Sequence, residues 1–157
     1  MLHNVGLQMA TTYLPDSDHV VRYVPWSRLR KDENDNVIGV LGAAFRLRDG
    51  EDYLSATWAE FFRGTHNERV SLAVKAIRAS KVDVKPRSGF AVGNVGRVKS
   101  TCLADERKHK IRVIHEKTDD NQAHTALRFW PRDNEQLLEL LAESEWSTTV
   151  LNKDVPP

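Results

Sequence analysis

Gly93-Asn94-Val95-Gly96 places a glycine at each end of a four-residue loop, and Arg97 and Lys99 follow it directly. Without a Cβ, each glycine lets the backbone turn sharply and come close to a ligand. Val95, Val98 and Cys102 then recur on one side, so the spacing predicts a helix beginning behind the loop. A helix start aims free N–H groups and a positive dipole end outward, which suits an anion. Gly93, Asn94, Val95, Gly96, Arg97 and Lys99 are therefore the candidate site, a backbone cradle for phosphate with two cations beside it.

Charge supports that choice of place. The formal net charge is only +1, but residues 81–112 carry nine Lys or Arg against three acidic residues. Residues 113–157 carry four basic against nine acidic residues, and residues 1–80 hold ten of each. The basic excess sits around the glycine loop, where an anionic partner would meet it.

Other constellations carry less. His115, Glu116, Asp119, Asp120 and His124 flank one expected hairpin, but their spacing matches no metal-ligand pattern, so a solvated hairpin is the reading. His66, beside a helix start, reads as structural. Asp32, Asn34 and Asn36 fall at the first three odd positions of a calcium loop, yet Val37 stands where that loop needs glycine and Ala43 where it needs glutamate. No metal or cofactor is expected. Arg22, Ser55-Ala56-Thr57 and Glu60 resemble the arginine, Ser-x-Thr and glutamate set of ADP-ribosyltransferases, although Glu60 stands too near Ser55 to come from a separate strand. An enzyme of unknown chemistry built on the N-terminal half is the alternative reading.

The elements that must position these groups follow from hydrophobic period. Residues 1–17 read as a loosely held arm closed by Pro15. Val20 to Val24, Val37 to Leu41 and Phe45 to Arg48 read as strands. Ser55 caps an expected short helix with Trp58, Phe61 and Phe62 at i, i+3 and i+4; Thr65 and Glu68 have capping-box spacing before a helix over 67–80. Val82 to Val84 is an expected short strand, 97–108 a helix, and 111–114 and 124–130 strands. A helix behind Asp133, with Leu137, Leu138, Leu140, Leu141 and Ala142 on its apolar face, precedes a frayed tail over 148–157.

With 157 residues the chain can bury about two thirds of its unfolded surface without staples. The lone cysteine, Cys102, excludes an internal disulfide and reads as a buried thiol in a reducing compartment. No run of about 18 apolar residues and no secretory leader is present, so the reading is a cytoplasmic protein with no membrane partner.

The order strand, short helix or turn, glycine loop, helix, strand, strand, helix over residues 81–147 resembles the KH domain, a single-stranded nucleic-acid module with a GXXG loop. Gly89 to Lys99 is similar to that family's glycine-to-loop signature, and Ile111 to Val113, Thr125 to Trp130 and the Leu-rich helix complete the pattern. Asn94 and Val95 depart from it, because such loops hold basic or small residues there. The resemblance, which covers less than half the chain, implies a KH-like α+β part over 81–147; with the 18–80 segment of strands and two helices packed on it, the whole reads as a small mixed sheet with helices on one face. The resemblance implies binding of single-stranded RNA or DNA, RNA first, with bases lying on Ala91, Val92 or Val98; a protein partner is the remaining alternative.

Overall fold

The strand β1 (His19–Pro25) alternates between the two faces of a sheet that encloses it, and Pro25 ends it. In the computed structural model, which describes residues 10–146 and 148–157, this strand pairs with β5 (Ser88–Asn94) through seven residue pairs and with β4 (Tyr53–Trp58) through only two. β7 (His124–Arg128) and β6 (Arg112–His115) extend the sheet beyond β4, and β8 (Thr148–Leu151) extends it beyond β5. The order β6-β7-β4-β1-β5-β8 is antiparallel throughout. A separate hairpin of β2 (Leu29–Lys31) and β3 (Val37–Val40) stands beside it. The fold is α+β.

Among the described residues, three helices cover the two faces. α1 (His66–Arg78) lays Val70, Ala73, Val74 and Ile77 against Val21, Phe90 and Val92. Thr65 accepts from the Glu68 amide while Glu68 returns to Thr65, so the expected capping box forms. α2 (Val95–Ala104) and α3 (Glu135–Ser144) cover the opposite face, where Val20, Val24, Phe45, Leu54, Leu127, Leu138, Leu141 and Trp146 make the larger core. Helices thus lie on both faces, not on one. Each face of a central strand is buried, which is why β5 reads as a near-continuous apolar run.

Several expectations are corrected by this packing. The helix expected from Ser55 is the strand β4, because Leu54 and Ala56 fill one core while Ser55 and Thr57 face the other side. Only Ala59–Phe61 turns, as a single 3-10 turn. The strand expected at 45–48 is replaced by a 3-10 turn, Gly42–Phe45, followed by an irregular stretch. Val82 to Val84 is irregular, and the strand of this region is β5. Residues 148–151 are no frayed tail but β8, and Arg78 ties the chain beyond it through the carbonyls of Asn152 and Val155. Residues 1–9 of the expected arm lie outside the described residues, whereas Leu14 is buried and donates to the Val113 carbonyl, so that end of the arm edges β6. β4 and β1, from residues 18–80, stand between two pairs of strands from residues 81–157 in one sheet, so the two segments are not separate layers.

Candidate active site

β1 and β4 part company after Val21↔Thr57, and a cleft of about 990 Å³ opens where they diverge. Arg22 spans the gap: its Nε donates to the Ala44 carbonyl at 2.9 Å and its Nη1 to the Ser55 carbonyl at 2.7 Å. Burial pulls the guanidinium down to about 10, which still leaves it charged at neutral pH. Its hydrogen-bond partners are carbonyl dipoles, not a carboxylate. Arg28, which donates to the Ala43 carbonyl, and Arg48 and Lys81 add positive charge to the lining. Lys85 is there too, but is paired with Asp83.

Ser55 and His124 lie on the α1 side of the sheet, in adjacent strands. Register puts Thr57 opposite His124 and Ser55 opposite Ala126, so Ser55 is the diagonal neighbour of the imidazole. Ser55 Oγ and His124 Nε2 are 2.7 Å apart, and His124 Nδ1 is 2.8 Å from the Glu116 carbonyl oxygen. A carbonyl can only accept. Nδ1 therefore carries the proton, Nε2 is the acceptor, and the Ser55 hydroxyl donates to it. Tyr53 meets the imidazole edge to face, with Arg128 over the Tyr53 ring and bonded through two nitrogens to Glu116. That guanidinium holds the Glu116 carboxyl below its ordinary range.

Asn121 secures the other side of the cleft by donating to Thr57 Oγ1 at 2.9 Å. Asp120 accepts from the Lys81 amide and the Thr118 hydroxyl, which tie the β6–β7 connection to the end of α1 and hold this carboxyl low. A polarised serine, an oriented base and a buried arginine thus share one cleft, whose lining sets Asp49, Glu51 and Asp120 beside Arg28, Arg48 and Lys81. This is the arrangement of nucleophile, base and orienting group used in covalent catalysis.

The residues singled out in the sequence fall elsewhere, with six exceptions. Gly93 and Asn94 end β5, and Val95 and Gly96 begin α2, so no helix precedes the glycines. From residue 88 to residue 144 the elements run β5, α2, β6, β7, α3, with a strand leading directly into the glycines. A Cβ on Gly93 would come within 2.9 Å of the Trp146 ring, and one on Gly96 within 2.9 Å of Asp16. The amides expected to meet phosphate are already used: Val95 donates to Asp18, Gly96 to Asp16, and Arg97 to the Asn94 side chain. Arg97 pairs with Glu145 and Lys99 with Asp16. Ala91, Val92 and Val98, expected to receive bases, are buried in the two cores.

The expected hairpin histidines face opposite sides. His115 sits opposite Thr125 and packs against Trp58 and Phe61, while His124, one residue earlier, faces Ser55. Asp32 caps its own turn by accepting from the Asn34 and Asn36 amides. The exceptions are Arg22, Ser55, Ala56, Thr57, Asp120 and His124, which do line one cleft; Glu60 instead faces His19. The Ser55–His124 pair escaped sequence reasoning because the aromatic spacing after Ser55 imitates a helix. The alternation of Leu54 and Ala56 with Ser55 and Thr57 is the signal that locates it.

Comparison with protein-family models, curated proteins and solved structures finds no match to this chain. Among the described residues, no helix is long and apolar enough to cross a membrane.

Proposed function

We propose that the protein is an enzyme that hydrolyses an ester of a small anionic molecule in the Arg22 cleft. The observation that carries this is the 2.7 Å contact between Ser55 Oγ and an imidazole whose other nitrogen is fixed by a backbone carbonyl. Ser55 attacks the ester centre as His124 Nε2 takes its proton, and His124 then gives that proton to the departing alcohol. Water, deprotonated by the same nitrogen, attacks the Ser55 ester; the proton returns to Ser55 and the acid is released. Arg48 and Lys81 hold the anionic part of the substrate, and the charge of Arg22 favours negative charge developing nearby.

The single-stranded nucleic-acid reading has less support, since its loop amides and both its cations are engaged within the protein.

A fluorophosphonate probe, followed by peptide mass mapping and a panel of carboxylic and phosphoric nitrophenyl esters, tests the enzyme reading. Labelling at Ser55 and turnover of an anionic ester are expected. Ser55→Ala should abolish both, and His124→Ala should slow them by about 10² to 10⁴. Arg48→Ala should raise KM for the anionic ester more than for a neutral one. An unlabelled Ser55 together with no turnover, or full turnover in Ser55→Ala, rejects the assignment.

A further inference from the structure

At the other end of α1 three side chains with metal-binding atoms converge. His19 opens β1, Glu60 lies on the turn after β4, and His66 is the first residue of α1, so three separate segments supply the group. One nitrogen or carboxylate oxygen from each lies within 4.8 Å of the others. Glu60 Oε2 is 2.7 Å from His19 Nδ1, and its Oε1 accepts from the His19 amide at 2.7 Å, which fixes both residues. The His66 ring stands edge to face on that of His19, with centroids 4.7 Å apart. Among the described residues its nitrogens have no hydrogen-bond partner.

We propose that His19, Glu60 and His66 form a binding site for a divalent transition metal, zinc first. Two imidazoles and one carboxylate suit that class of ion better than calcium or magnesium, which take oxygen ligands. Tetrahedral zinc with bonds of about 2.0 to 2.1 Å puts its ligand atoms on the order of 3.3 Å apart. His66 is exposed, so rotation of its side chain closes the remaining distance. The ion takes the place of the proton now shared by His19 and Glu60, and the carboxylate charge offsets both the ion and the positive end of α1. Three protein ligands leave one position for water or an exogenous oxygen donor.

The site shares no residue with the ester cleft, although Val21 and Thr57 of the cleft lining lie two and three positions from His19 and Glu60. Ile77 and Ser80, at the far end of α1, line the cleft, and a helix of 13 residues spans about 18 to 20 Å. Binding therefore joins the starts of β1 and α1 to the end of β4.

Untagged protein is titrated with zinc against a chromophoric chelator, and with cobalt(II) by visible absorption. Micromolar or tighter zinc binding at one site and the intense bands of four-coordinate cobalt are expected. His66→Ala should weaken zinc by more than about 100-fold, because altering even an outer partner of a ligand costs 10- to 100-fold. Glu60→Gln should do the same, and His115→Ala should change nothing. A hundredfold excess of zinc over its Kd should raise the wild-type melting temperature by about 5 to 10 °C and leave His66→Ala unmoved. His66 is exposed, so its variant folds whatever Glu60→Gln does. Wild-type binding weaker than about 1 mM, or equal binding by His66→Ala, overturns the site.

Discussion

Gly93 is a residue whose type was legible and whose neighbour was not. A glycine at that spacing announces that something comes close to the backbone, and what comes close is the fully buried ring of Trp146. Sequence separation hid it, since 53 positions later a tryptophan gives no sign of where it packs. Gly93→Ala forces that ring to shift in a filled core, and a loss of about 1 to 3 kcal/mol is expected in urea denaturation. A loop built to cradle phosphate would tolerate the same methyl group with unchanged stability. Ser55 errs in the opposite sense. Its type suited a helix cap, and only its strand neighbours reveal that the hydroxyl faces an imidazole.

At the scale of elements, period decided correctly for α1 and for most of α3. α1, with its capping box and its stripe of Val70, Val74 and Ile77, was readable, as was the face of α3 formed by Leu137, Leu138, Leu141 and Ala142; Leu140, expected with them, is exposed. β5 is covered on both faces and reads as one apolar run, whereas β4 alternates and was hidden by the spacing of Trp58, Phe61 and Phe62, which imitates a helix. The β6–β7 hairpin carries a testable electrostatic consequence. Arg128 depresses the Glu116 carboxyl in the folded protein relative to its ordinary value of 4.5. A lowered folded value means that the ion pair contributes fully above about pH 4.5 and is lost as pH falls through the folded value. Glu116→Gln should therefore be less stable than wild type at pH 7, with the gap closing toward pH 3. Urea midpoints at the two pH values measure it, and a gap that persists or widens in acid contradicts the assignment.

Over the whole molecule, the strand order explains why the chain cannot be divided where its composition changes. β5 takes β1 on one side through seven pairs and β8 on the other, so residues 81–147 alone would expose both edges of a strand whose two faces are apolar. That fragment is expected to lack cooperative thermal unfolding and dispersed NMR signals, while the full chain shows both. A folded fragment would restore the independent-domain reading. The placing of β4 and β1 between strands from a distant segment was the part of the fold that no local pattern encodes, because pairing between strands is set by complementary faces and not by neighbouring residues.

The anchoring of residues 152–156 by Arg78 also bears on synthesis. Arg78 reaches the carbonyls of Asn152, Val155 and Pro156, and Val155 seals the core beneath α1. Arg78 and Val155 are separated by 77 positions, which a ribosome translates in about 4 to 15 s. Throughout that interval the nascent α1 has an uncovered flank, and β5, once made, an unfilled edge, because the segment that closes both is not yet translated. Holdase chaperones that recognise apolar helices therefore have their opportunity on this chain before residue 155 emerges, and lose it afterwards.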